Sequence, residues 1–134
     1  MANLEKIRVL GQKKILLVDD EEDFCFFLKK NLEKSKEFNV LTATNAKEGV
    51  RLAKKEKPNL ILLDLVMPKI PGNEMAEILS KDLQTKDIPI VFLTAVVTED
   101  EMALTSTGKI GGQNFIAKTI GTEKIISYIR EHFK

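Results

Sequence analysis

A chain of 134 residues, 43% of them hydrophobic, can bury one substantial core and lies near the usual size of a single domain. Its 21 basic and 20 acidic residues leave a formal charge of +1, which excludes the broad electrostatic footprint of a nucleic-acid or anionic-membrane binder. A single cysteine, Cys25, excludes an internal disulfide framework; the polar opening of the chain leads into no signal-peptide core, and no apolar run approaches a membrane span. The expectation is a soluble, cytoplasmic protein with no nucleic-acid and no membrane partner.

Residues 1–12 read as an N-terminal extension and 13–134 as one domain. The first strand is Ile15-Leu16-Leu17-Val18, closed by the acidic run Asp19 to Asp23. Phe24, Phe27, Leu28 and Leu32 then recur at helical spacing, with acids at the helix start where the macrodipole favours them; Phe24 and Phe27 are expected in the core. Residues 39–43 form a second strand. Asn45 and Glu48 have the spacing of a capping box, opening a second helix through Val50, Leu52 and Ala53. After Pro58, Leu60-Ile61-Leu62-Leu63 is apolar at every position, as an interior strand of a parallel sheet must be when helices cover both faces.

A helix is expected over 72–81, a strand over 88–94, a second capping box at Thr98 and Glu101 opening helix four, and a last strand over 114–117. Gly108, Gly111 and Gly112 loosen the connection between them. A final helix carries Ile125, Ile129 and Phe133 on one face. Five strands alternating with five helices in this length predict an α/β fold: a flavodoxin-like, doubly wound, five-stranded parallel sheet of order 2-1-3-4-5 with helices on both faces.

Ligands of such sheets bind beyond the carboxyl ends of the strands, so the residues that end each apolar run carry the chemistry. Here they are Asp19 and Asp20, Asp64, Thr94 and Lys118. With strands one and three adjacent, three carboxylates converge. Like charges that close raise one another's pKa or recruit a cation, and hard oxygen donors suit Mg²⁺. A backbone carbonyl beyond Asp64, that of Val66, is a further candidate ligand. Lys118 is expected to pair with Asp64, and Thr94 to offer a hydroxyl; together they would neutralise a phosphoryl group in transfer to an Asp64 nucleophile.

In this combination and order, Asp19-Asp20, Asp64-Leu65-Val66-Met67-Pro68 with Gly72, Thr94-Ala95 and Lys118 resemble the receiver domain of two-component response regulators, in size the stand-alone chemotaxis type. The resemblance covers roughly residues 13 to 133. It implies that Asp20 binds the metal directly and Asp19 largely through water, that Asp64 is phosphorylated, and that Thr94 and the aromatic Phe115 move together as a switch. It also implies a histidine kinase, a phosphotransfer protein or a small acyl phosphate as donor, and a downstream protein bound at the face of helix four, strand five and helix five. Two departures stand out. The family usually has a cis proline after the lysine, whereas Thr119 stands here; a cis bond without proline costs roughly 2.5–4 kcal/mol, so a trans bond and a shifted loop are expected. Val66 and Val96 take places where many relatives carry polar groups that position water, which predicts a long-lived phosphoryl state.

The expected function is a phosphorylation-controlled binding switch without an output domain, not a turnover enzyme. A relay intermediate or phosphate sink is the alternative. A Mg²⁺-dependent phosphohydrolase ranks lower, because Val66 stands where such an enzyme would place a general acid. Cys25 is expected to be packed or partly exposed on helix one and His132 to be solvated near the end of the last helix, and neither is assigned a role.

Overall fold

The computed structural model describes residues 12–95, 107–110 and 113–134. In chain order it contains β1 (Lys13–Val18), α1 (Glu22–Glu33), β2 (Phe38–Ala43), α2 (Ala46–Glu56), β3 (Leu60–Asp64), α3 (Gly72–Ser80), β4 (Ile90–Thr94), β5 (Thr107–Ile110), β6 (Gln113–Ala117), a 3₁₀ turn (Lys118–Ile120) and α4 (Thr122–His132). The sheet order is β2-β1-β3-β4-β6-β5. Its first five members are parallel and reproduce the expected 2-1-3-4-5 order, with β6 as the fifth. β5 is an addition: the glycine-marked connection forms a short antiparallel strand on the edge of β6. The expected helix four and its capping box at Thr98 lie outside the described residues.

Side-chain alternation along the strands divides the core in two. Ile15, Leu17, Leu60, Leu62, Val91, Leu93 and Ile116 face α1 and α4, whose Cys25, Leu28, Leu32, Ile125 and Ile129 are buried against them. Leu16, Val18, Ile61, Leu63, Ile90 and Phe92 face α2 and α3, meeting Ala53, Met75 and Leu79. β3 and β4 are buried at every position, as their uninterrupted apolar runs require.

The Asn45 cap forms as expected, its side-chain oxygen accepting from the Glu48 amide at 2.9 Å. The helix-one expectation needs correction. The buried face is Cys25, Leu28 and Leu32, while Phe27 is 58% exposed beside Phe26, and Phe24 is only partly buried against the core. Leu28 and Leu32 are one helical turn apart, and the position one turn before Leu28 is Phe24, leaving Phe27 rotated outward by a full residue step. His132 is exposed, as expected.

Candidate functional site

Sheet register sets the level of the strand-end residues. Val18 pairs with Leu63, so Asp19 stands level with Asp64 on the neighbouring strand, and the Asp19 amide extends the ladder onto the Ala43 carbonyl at 3.0 Å. Asp64 pairs with Leu93, and Thr94 with Ala117, so Lys118 emerges one step beyond Thr94. Parity then sorts the side chains. Asp19 continues the Ile15–Leu17 face, Asp64 the Leu60–Leu62 face and Lys118 the Ile116 face, all on the side of α1 and α4. Thr94 and Phe115 share the opposite face with Phe92, which pairs with Phe115 across β4 and β6.

Asp19, Asp20 and Asp64 each bring a carboxylate oxygen to within 4.8 Å of the others, Asp19 and Asp64 buried and Asp20 exposed. Burial pushes the Asp64 carboxyl up to about 7, reinforced by the charge of Asp19 and opposed by the Val66 amide, which donates to Asp64 Oδ1 at 3.2 Å, and by Lys118. Burial also raises the Asp19 carboxyl, against the pull of Lys118 and of the Glu21 amide, which donates to Asp19 Oδ1 at 2.9 Å. The second Asp19 oxygen, fully buried, has no hydrogen bond of acceptable geometry; its close neighbour is the Lys118 ammonium at 2.6 Å.

Lys118 meets Asp64 as expected, but only at the outer limit of an ion pair, and its nearer partners are others. Its ammonium lies 2.6 Å from Asp19 and 2.6 Å from Glu21, but 4.0 Å from Asp64. The ring of Phe24 covers the same ammonium at 4.5 Å from the centroid. Burial works against the Lys118 charge, yet Asp19 and Glu21 outweigh it and hold the pKa above the ordinary lysine value. Glu21 and Phe24 are the two site residues that sequence reasoning missed; Glu21 was visible only as one member of an acidic run. Thr94 is buried at the end of β4. The peptide bond from Lys118 to Thr119 is trans, as expected, and the chain passes through the 3₁₀ turn to Gly121, at φ +94°, before α4.

The loop carrying Asp64 is clamped from behind. The Gly72 amide donates to the Leu65 carbonyl at 3.0 Å, bringing the start of α3 so near that a Cβ on Gly72 would lie 2.1 Å from the Asp64 carbonyl oxygen. Below Asp19, the buried Cys25 thiol donates to the Asp19 carbonyl at 3.3 Å, and burial pushes that thiol up to about 12, so it is an inert packing group.

The donor set fits a hard divalent cation. It consists of carboxylate oxygens only, one of them buried and without a satisfactory hydrogen bond, and their mutual repulsion is of the kind that a cation relieves. Soft-metal ligands are absent from this cluster.

The family model of the response regulator receiver domain matches residues 15–130. The chain belongs to that family. Receiver domains of this kind are two-component signalling modules that characteristically take phosphoryl groups from histidine kinases on an aspartate and bind Mg²⁺ in an acidic pocket. Protein PilH of Pseudomonas aeruginosa is 35% identical over 117 residues, covering 87% of this chain and 93% of PilH. The alkaline phosphatase synthesis transcriptional regulatory protein PhoP of Bacillus subtilis is 35% identical over 118 residues, but the chain spans only 47% of PhoP. A response regulator from Desulfuromonas acetoxidans matches with a TM-score of 0.72 and 29% identity, over 90% of this chain and 96% of that one. The chemotaxis protein CheY4 of Vibrio cholerae shares the fold with a TM-score of 0.74 at 22% identity, over 90% and 98% of the two chains. Among the described residues, no receiver helix is long and apolar enough to cross a membrane.

Proposed function

We propose that this receiver, read as residues 13–134 behind an extension of residues 1–12, is a stand-alone cytoplasmic switch in which Asp64 accepts a phosphoryl group in a Mg²⁺-dependent reaction. The observation that carries the reading is the convergence of Asp19, Asp20 and Asp64 around the end of β1 and β3, with Lys118 brought in from β6. Asp19, Asp20, Asp64 and the Val66 carbonyl would hold the metal. Bound Mg²⁺ supplies positive charge beside the phosphoryl oxygens. Asp64 attacks phosphorus, and Lys118 and the Thr94 hydroxyl each take one of the phosphoryl oxygens, so the chain supplies position and charge.

Transmission follows from the shared sheet face of Thr94 and Phe115. A hydroxyl drawn toward Asp64 vacates volume on that face, and the half-buried Phe115 ring, diagonal to it across the β4–β6 pair, is the group able to fill it. The altered surface beside β6 and α4, together with the expected helix four outside the described residues, then binds a downstream protein. The donor is a histidine kinase or a histidine phosphotransfer protein; the protein itself undergoes stoichiometric modification and turns over no substrate.

Intact-mass measurement after incubation with Mg²⁺ and acetyl phosphate tests this reading. One phosphoryl adduct is expected, lost in Asp64→Asn and without magnesium. Rapid multiple turnover would favour a phosphohydrolase, and transfer onward to an added phosphotransfer protein without a change in partner binding would favour a relay or sink.

A further inference from the structure

Lys118 has three carboxylates within reach and is seated on the wrong two for chemistry at Asp64. Its side chain is 9% exposed, and its ammonium contacts Asp19 and Glu21 at 2.6 Å each, with Phe24 covering it, while Asp64 is 4.0 Å away. Asp19 is buried and fixed by the sheet, so its share of the ammonium is built in. Glu21 differs. Its backbone amide holds Asp19 Oδ1 and its carbonyl accepts the Cys25 amide at the start of α1, but its side chain is 64% exposed, makes no capping hydrogen bond and reaches Lys118 instead.

We infer that Glu21 is a latch on Lys118, a positioning residue that holds the ammonium away from Asp64 in the resting protein and must release it before a phosphoryl group can be received. The inference rests on the reading that Asp64 is the acceptor. In the transfer from acetyl phosphate, the Asp64 Oδ–P bond forms as the donor O–P bond breaks and acetate leaves with the electron pair. Lys118 exchanges its Glu21 contact for a phosphoryl oxygen in the same event. Once that exchange is made, Glu21 is a solvated carboxylate and has no part in hydrolysis of the acyl phosphate. The latch therefore slows acceptance and leaves loss of the group unchanged, an asymmetry that general damage to the pocket would not produce.

Because Glu21 is mostly exposed, its hold is modest. An ion pair of this exposure corresponds to about a two- to fivefold rate effect. The test compares the wild type, Glu21→Gln and Glu22→Gln, the last removing the same charge from the neighbouring exposed position. Phosphorylation by acetyl phosphate with Mg²⁺ is followed by intact mass, and autodephosphorylation after donor removal. Glu21→Gln is expected to accelerate acceptance about two- to fivefold with an unchanged half-life of the phosphoryl state, and Glu22→Gln to match the wild type. Equal rates in all three proteins, equal acceleration in both variants, or a changed half-life in Glu21→Gln would each overturn the latch. If no protein forms an adduct, the acceptor reading fails on its own. The latch is then decided by a metal-free crystal structure of Glu21→Gln: Lys118 Nζ nearer to Asp64 than 4.0 Å supports it, and an unmoved ammonium overturns it.

Discussion

Replacing Gly72 by alanine should damage the protein through the backbone of Asp64 itself. Gly72 has no positive φ, so alanine fits its local conformation and would even gain up to about 1 kcal/mol of helix propensity. The obstacle is steric. The added methyl would stand 2.1 Å from the Asp64 carbonyl oxygen and 2.9 Å from both the Asp64 carbonyl carbon and the Leu65 Cα. All three neighbours are main-chain atoms, so no rotamer change relieves the clash, and either α3 or the strand-end loop must retreat by roughly 1 Å. Overpacking costs about 1–3 kcal/mol, and a contact made only with backbone falls at the upper end. After the propensity gain, a net loss of about 2 kcal/mol is expected, or roughly 8 °C in Tm for a chain of this size. A displacement of that size at the acceptor should also slow phosphorylation by about 10²-fold at temperatures where the variant is folded. Gly49→Ala is the control. Its methyl would meet the Met75 terminal carbon at 2.8 Å and the Val18 methyls at 3.0 and 3.2 Å. Met75 can swing away, so a change within about 1 kcal/mol and normal phosphorylation are expected. Urea unfolding and the acetyl phosphate reaction measure both. Gly72→Ala with wild-type stability and wild-type phosphorylation would refute the reasoning, as would equal damage in the two variants.

Without metal, Asp64 should make stability fall as pH rises from about 4 to about 7: its folded pKa is raised from 3.8 to about 7, so the unfolded chain ionises first and the folded state binds the extra proton. Wild-type minus Asp64→Asn unfolding free energies should show that slope, and Mg²⁺, which competes with the proton, should raise Tm more at pH 8 than at pH 5; identical increments would contradict it. Lys118→Met should cost about 3 kcal/mol at pH 8 in chelator by stranding the fully buried Asp19 carboxylate, with the loss shrinking in acid as Asp19 protonates; a pH-independent loss would point to packing alone. Phe27→Ser should leave urea stability within about 0.5 kcal/mol and Leu28→Ala should cost about 2–5 kcal/mol, since only Leu28 is buried. Val66, 60% exposed beside Asp64, should shorten the phosphoryl half-life when changed to Asn if the absence of a water-positioning group there prolongs that state; an unchanged half-life would remove the valine from the explanation.

β1, β3 and β4 were legible because each carries an uninterrupted apolar run of four residues, and a strand that needs no polar face has few places to sit other than inside a helix-covered sheet. Once strands one and three are neighbours, period-two alternation carries Asp19 and Asp64 to one side of the sheet and Thr94 with Phe115 to the other, so the convergence of Asp19 with Asp64 and the shared face of Thr94 and Phe115 follow from spacing. The two errors of fold have separate causes. Phe27 is apolar and at plausible spacing, but a helix rotates 100° per residue, and the sequence does not say which of two overlapping stripes, through Phe24 and Leu28 or through Phe27, turns inward. β5 is an edge strand whose Gly108 looks like loop, because an edge needs only backbone pairing.

The partner of Lys118 was the least legible feature, for a different reason. Topology delivers the ammonium to an acidic mouth, and there the choice among carboxylates is settled by how much water each has already lost. Asp19, fully buried and with an oxygen lacking any good hydrogen bond, is the one whose charge is most costly to leave uncompensated, so it takes the lysine first. Glu21 can then reach the same ammonium from solvent without giving up its own hydration, whereas Asp64, which takes the Val66 amide on Oδ1, stays 4.0 Å from it. The resting site is thus arranged around the charge of Asp19, with Asp64 Oδ2 4.0 Å from Lys118, and under the proposed acceptor role added negative charge on Asp64 would compete for the same ammonium.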